Sequence, residues 1–405
     1  MTDKLNYDVI IAGGGPAGTS AAIHLALRGS RVLLTEQKKF PRPKLCGEFI
    51  SPECLAHFER LGVFQQMIAA RGADLGKTVF YARGGSSVSI PSIWFGSGAN
   101  ALGLSRAEMD ERLLRRAAEA GVAVLEETQV VGLKFAGDQV TGVRCKNGGE
   151  ERDYFAPITI DATGRARVLA RRLPAEAPGT SAKRPASIVA FKAHMEDAGI
   201  APGACEIYFY RGGYGGLSHV EGGLSNLCFI ASARDVRDCG ADPERVMRSV
   251  VCENVRAAQT LARARSRSEW LAVSLDSFGR RSLAPASGLL TIGDAASFID
   301  PFTGSGMLMA LENGELVADV VSRFLPHETS TAALAVMSQA YRDLYHQRFS
   351  ARLRVCGLLR CAAFVPGLAD TAIRIAGLNY RLRRGLALAT RGSLAVRPIK
   401  TGEGA

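Results

Sequence analysis

Three glycines and one acid near the start of the chain have the types and spacing to hold a dinucleotide. Gly13, Gly15 and Gly18 fall in the pattern G-x-G-x-x-G. In that pattern the first glycine allows a tight turn, the second lets a pyrophosphate approach the backbone, and the third lets a helix pack on a strand. Pro16, followed by Ala17, suits a first helical turn because its missing N–H would be unpaired there anyway. Free backbone N–H groups and the positive end of the helix dipole then face an anion, a contribution of roughly 0.3 to 2 kcal/mol. Glu36, with Gln37 beside it, stands 18 residues after Gly18. A carboxylate there accepts both hydroxyls of an adenosine ribose and repels a 2′-phosphate, so FAD or NAD is expected rather than NADP. A second group lies far along the chain. Gly293 and Asp294 follow a short apolar run, and Pro301, Gly304, Ser305, Gly306 and Met307 open a helix shortly after. Asp294 can accept a hydroxyl from the middle of FAD, and the helix start can stabilise negative charge on a reduced flavin.

These residues need strands and helices to carry them. Residues 7–12 form an apolar run of buried-strand length, 16–27 a breaker-free helix that Gly29 ends, and 31–35 a second strand. Residues 104–121 keep helical spacing behind Ser105, a candidate N-cap with Glu108 three residues on, which places Arg106 in the first turn. Runs at 122–133 (with Val130), 140–145 and 154–160 read as strands, with a hairpin near Gly137-Asp138. The last of them ends at Asp161, three residues before Gly164. Loosely alternating residues 75–90 read as strands joined at Gly84-Gly85. From residue 186 the pattern is β-rich, with Val189, Phe191, Ala193 and Met195 on one face of a strand. Tyr208, Tyr210 and Tyr214 are the candidate substrate-facing side chains of that block. The tail, 332–393, reads as helical with breaks near Gly357 and Pro366-Gly367. Ile375, Leu378, Leu382 and Leu386 make an apolar stripe there, and Arg374, Arg381, Arg384 and Arg391 a basic one.

Composition narrows the function. A chain of 405 residues, 47% hydrophobic, can bury one large core or two to three modest ones. Residues 1–6 carry no apolar signal region, and no apolar run approaches 18 residues, so the expected location is cytoplasmic. Nine cysteines without a C-x-x-C pair suggest neither a disulfide framework nor a zinc site, and no metal is expected. Net charge is +11, and residues 321–405 hold 13 Lys or Arg against 4 Asp or Glu, a net of +9. No nucleic-acid motif accompanies the excess, so a nucleic-acid partner is not expected. An amphipathic basic helix can instead lie peripherally on the inner face of an anionic membrane and collect an apolar substrate, or it can pack on its own protein. Hydrolase and kinase motifs are absent.

The loop after Glu36 carries Pro41, Arg42, Lys44, Cys46 and Gly47 in the pattern P-R-x-K-x-C-G. With the G-D-A-x(6)-P-x-x-G-x-G segment that starts at Gly293, this resembles the p-hydroxybenzoate-hydroxylase-like flavoproteins, which include geranylgeranyl reductases, aromatic hydroxylases and flavin-dependent halogenases. Glu48-Phe49 departs from the smaller residues usual in the reductase branch. The resemblance implies an α/β fold, with a Rossmann-like FAD-binding domain, an inserted β-sheet substrate domain and a C-terminal helical extension. The implied boundaries are 1–75, 100–175 and 276–330 for the first, 76–99 and 176–275 for the second, and 331–405 for the third. It also implies FAD contacts for Arg42, Lys44, Cys46, Gly47, Arg106, Val130, Asp161 and Gly164, with Cys46 and Tyr214 as catalytic candidates. With only one glycine fingerprint in the chain, NAD(P)H would dock transiently, or a separate reductase would supply electrons. Three chemistries share this frame. Hydroxylation of an apolar or phenolic molecule through a flavin hydroperoxide stands first. Reduction of a double bond in a prenyl or polyketide lipid is the alternative. Residues 214–219 carry neither the reductase nor the halogenase substrate motif, and Lys77 matches the halogenase lysine only loosely, so halogenation comes last, beside a non-enzymatic FAD-binding sensor.

Overall fold

The computed structural model describes residues 7–95, 98–173, 187–275, 278–300, 304–325, 330–364 and 367–389. Five parallel strands form its centre, in the order Leu289–Thr291, Ile158–Asp161, Val9–Ala12, Val32–Thr35, Ala123–Leu125. Every residue of Val9–Ala12 and Val32–Thr35 is buried, as expected for parallel strands covered on both faces. On one face Val9 and Ile11 pack against helices Pro16–Ala26, Arg106–Glu119 and Gly306–Phe324. On the other, Ile10 and Ala12 meet Val130, Val140 and Val143 of a three-stranded antiparallel sheet. This is the Rossmann-like arrangement that residues 7–35 announced.

Two strand readings needed division. The run 122–133 splits into Ala123–Leu125, an edge of the parallel sheet, and Gln129–Ala136, which pairs with Gln139–Asn147 across the Gly137 turn. The run 154–160 likewise divides at Pro157 between Glu150–Phe155 and Ile158–Asp161. Apolar residues continue through both joints, so hydropathy alone does not show where the chain changes sheets.

Lys77–Tyr81 and Ser87–Pro91 join Ile188–Glu196, Ala204–Tyr210, Gly213–His219, Ser225–Ser232, Arg265–Ser266 and Leu271–Leu275 in one eight-stranded sheet. One face of this sheet is sealed by three short helices between Ala233 and Thr260, over a core of Phe191, Met195, Tyr208, Tyr210 and Phe229. Tyr208 and Tyr210 therefore do not face a substrate. They alternate with Ile207 and Phe209, and their hydroxyls donate to Glu206 at 2.7 Å and to the carbonyl of Ile230 at 2.8 Å on the sealed side.

The tail is helical, but Gly357 does not break it. Thr331–Phe364 is one continuous helix, because the cost of a mid-helix glycine, about 1 kcal/mol, is small beside burial of Leu334, Met337, Tyr341, Tyr345 and Phe349 on one stripe. Gly367, at φ +76°, precedes a further helix, Leu368–Leu378, which is followed by Tyr380–Ala389.

Candidate active site

A cavity of about 660 Å³ lies between the parallel sheet, the unsealed face of the large sheet and the last helices. Its nucleotide end is the turn after the first strand. Gly13 has φ +112°, and a Cβ there would sit 2.4 Å from the Ala162 carbonyl oxygen, while one on Gly18 would sit 1.9 Å from the Gly13 oxygen. These two glycines make the turn. Gly15 is different: a Cβ there meets only Arg106, at 4.0 Å, and with Pro16 and Ala17 the residue faces the cavity. Glu36, buried beside cavity-lining Gln37, accepts backbone N–H groups from Gly14 and Lys38, each at 3.0 Å. Arg42 reaches the same carboxylate at 3.5 Å, and since a carboxylate has about four acceptor positions, about one remains for a ribose hydroxyl.

Arg106 enters the cavity from the first turn of its helix, which Ser105 caps by accepting the Glu108 N–H at 3.2 Å. Its guanidinium forms two 2.7 Å hydrogen bonds to the fully buried Asp110, which also receives Arg42 at 3.2 Å. Burial opposes the Arg106 charge, yet the Asp110 carboxylate outweighs it and raises the pKa further. Asp110 was missed in the sequence, although Arg106 and Asp110 stand at the i,i+4 spacing of a helical pair. Lys44 also reaches the cavity, where burial and the Arg106 and Arg42 charges push its pKa down.

At the opposite end, Gly293 donates to Asn313 at 2.8 Å, Asn313 to the Tyr341 hydroxyl at 2.8 Å, and that hydroxyl to the Thr291 carbonyl at 2.8 Å. This chain of bonds fixes Asp294 against the cavity. Burial raises the Asp294 pKa, with Arg165, Lys44 and Arg106 opposing. Among the described residues none donates a hydrogen bond to its carboxylate. Gly304, Gly306 and Met307 line the same end, and Ser305 is buried behind them; Pro301 lies outside the described residues.

Asp161 has another task. Its carboxylate accepts from the N–H and hydroxyl of Thr163 and from the N–H groups of Leu169 and Ala170, at 2.6 to 3.1 Å. It shapes the loop that brings Thr163 and Gly164 to the cavity, which Val130 also lines.

On the sheet side, Tyr214 donates to Asp300, whose other oxygen lies 3.3 Å from Nε of Arg360. Cys46 and Gly47 line the facing wall; the Cys46 carbonyl accepts from Asn226 at 3.1 Å. Next to them is a cluster that the sequence did not reveal. Glu48, fully buried at φ +54°, bonds Lys192, His194 Nε2 at 2.7 Å and the backbone N–H of Arg106 at 2.8 Å. Despite burial, His194 and Lys192 hold the Glu48 carboxyl below the usual range. The available signal was period two: Lys192 and His194 alternate with the apolar face of Phe191, Ala193 and Met195, so two ionisable residues had to share the other face.

An open backbone approach, a hydroxyl-seeking acid at each end and a buried guanidinium between them fit an extended flavin dinucleotide. Glu36 and Gly15 would take its adenosine and pyrophosphate, and Asp294 its sugar-alcohol middle. The molecule is thus a nucleotide-binding α/β protein of flavoenzyme type. Residues 6–336 match the model of the FAD binding domain family, and the chain belongs to that family. It is an FAD-dependent oxidoreductase. It is 28% identical over 327 residues to a digeranylgeranylglycerophospholipid reductase of Methanoculleus marisnigri, covering 79% of this chain and 77% of that one. It is 26% identical over 395 residues to a menaquinone reductase of Mycolicibacterium smegmatis, covering 92% and 89%. A flavin-dependent brominase structure superposes with a TM-score of 0.78 at 20% identity, covering 96% and 94%. At that identity it shows a shared fold.

Proposed function

We propose that this enzyme reduces an isolated carbon–carbon double bond in a long apolar chain, as a prenyl-type lipid would present. The observation that carries this reading is the character of the cavity beyond the nucleotide end. Val88, Ile90, Ile207, Phe209 and Ile230 of the large sheet face Ile373 of the penultimate helix across it. One relative is named as a digeranylgeranylglycerophospholipid reductase and another as a menaquinone reductase. Together these move double-bond reduction ahead of hydroxylation, which the sequence had put first.

FAD, when bound, supplies the hydride. The chain's own residues hold, orient and keep dry. Glu36, Gly15 and Asp294 fix the cofactor's length, and Arg106, anchored by Asp110, places fixed positive charge along it. The candidate donors of a proton to the second carbon are two groups that line the cavity, the Cys46 thiol and the Tyr214 hydroxyl. The Tyr214 hydroxyl is held by its hydrogen bond to Asp300. NAD(P)H docking transiently, or a separate reductase, refills the electrons.

The test is an oxygen-free turnover. With the flavin reduced and a polyprenyl lipid supplied under nitrogen, the lipid should gain one hydride and one proton for each flavin reoxidised, as read by mass. No lipid change under nitrogen, with oxygen appearing in the product once air is admitted, would replace this reading with hydroxylation. Halide-dependent products would replace it with halogenation.

A further inference from the structure

Of the last two described helices, Leu368–Leu378 is apolar on two sides. Along Leu368–Leu378, residues Ala369, Ala372, Ile373 and Ala376 line the cavity. Ala372 is also exposed, so the cavity reaches the surface at this helix. On the adjoining side of the same helix Leu368 is 44% exposed, Ile375 49% and Leu378 89%. Leu358, on the neighbouring long helix, is 72% exposed and Tyr380 53%. Ile375 and Leu378 belong to the apolar stripe read from the sequence; the side chains of Leu382 and Leu386 lie outside the described residues. Helical geometry explains the double face: positions 369, 373 and 376 fall on one side of the cylinder and 368, 375 and 378 on another, with Ala372, four residues after Leu368 and three before Ile375, on the border between them.

Charge surrounds this face with one sign. Residues 344–389 hold eight Arg and a single acid, Asp370, which accepts the Arg83 N–H at 3.2 Å. Arg354, Arg374, Arg381 and Arg384 are exposed. Arg383 lies 5.4 Å over the Trp94 ring, which meets Tyr380 edge-on at 5.1 Å, beside exposed Ile93. Apolar tips, edge-to-face aromatic rings and arginines on one surface match the layers of a lipid–water boundary, where rings sit at the headgroup level and guanidinium groups meet phosphate.

We propose that this face docks on an anionic phospholipid surface and that the cavity mouth at Ala372 opens into the lipid, so an apolar chain enters without crossing water. No helix among the described residues is long and apolar enough to cross a membrane, so docking is peripheral. The proposal deepens the reductase reading by naming where its substrate comes from, but its test needs no turnover. The FAD-loaded full chain is floated with phosphatidylcholine vesicles and with vesicles that also contain phosphatidylglycerol. Binding should require the anionic lipid and fall with salt. The triple variant Arg374→Gln, Arg381→Gln, Arg384→Gln should lose on the order of a hundredfold in affinity. The double variant Ile375→Ser, Leu378→Ser should lose roughly tenfold, with FAD content and melting temperature unchanged in both. No flotation with anionic vesicles, or flotation indifferent to both variants, overturns the proposal. So does a stable dimer that the Ile375→Ser, Leu378→Ser pair dissolves, since the face would then belong to a second copy. A chain that floats as described yet reduces no lipid would sink the reductase reading and leave this one standing.

Discussion

Asp294 and Asp161 are both acids at the ends of parallel strands, and their fates separate the binding residue from the scaffold residue. Asp161 is filled by four donors of its own loop, so ligand hydroxyls would have to compete with bonds already made. Asp294 has no such donor among the described residues and faces the cavity. Asp294→Ala should therefore fold but purify pale, losing about 1.5 to 3 kcal/mol of FAD affinity for one charged hydrogen bond; the flavin absorbance per chain and a titration of the apoprotein measure it. Unchanged yellow protein would mean that Asp294 does not hold the cofactor. Sequence pattern located both acids, because strand ends are legible from where apolar runs stop. It did not show which was already satisfied, since the donors at Leu169 and Ala170 arrive through the loop's tertiary course.

At the scale of elements, the glycine turn joins strand, helix and cavity, and its glycines are not interchangeable. Gly18 presses against the Gly13 carbonyl and Gly15 faces open space. Gly15→Val should thus keep its fold, as read by circular dichroism, while its side chain fills the pyrophosphate approach and FAD stoichiometry collapses. Gly18→Ala should fail earlier, in soluble yield, because its Cβ would collide with backbone. Retained FAD in Gly15→Val would remove that residue from the site. The helix Arg106–Glu119 was equally readable, since an N-cap serine and i,i+3/i+4 apolar spacing are local signals. The tyrosines of Ala204–Tyr210 were not. Strand alternation says that Tyr208 and Tyr210 share a face, but which face is sealed depends on three helices contributed by later sequence.

For the whole molecule, the Glu48 cluster joins what would otherwise be separate layers. It ties the Cys46 loop and the start of the Arg106 helix to Lys192 and His194 of the large sheet. Removing one partner of a buried ion pair costs roughly 3 to 5 kcal/mol, so Glu48→Gln should lower stability by about that amount in urea unfolding at neutral pH. Because the folded Glu48 pKa is depressed, its contribution is present above the unfolded carboxyl value of about 4.3 and is lost as pH falls through the lower folded value. The gap between wild type and Glu48→Gln should accordingly close on acidification below about pH 4.3; a gap constant with pH would refute the ionic role. By itself the sequence determined the dinucleotide turn, the acids Glu36 and Asp294 that line the cavity, and the flavoprotein class, because short-range spacing and period are enough to define a strand, a turn and a helix start. Only the tertiary structure decided the sealed and open faces of the large sheet, the Glu48–Lys192–His194 contact across more than a hundred residues of chain, and the cavity mouth beneath the last helices. Those depend on which surfaces remain to cover one another once every local element has formed, and no local spacing encodes that.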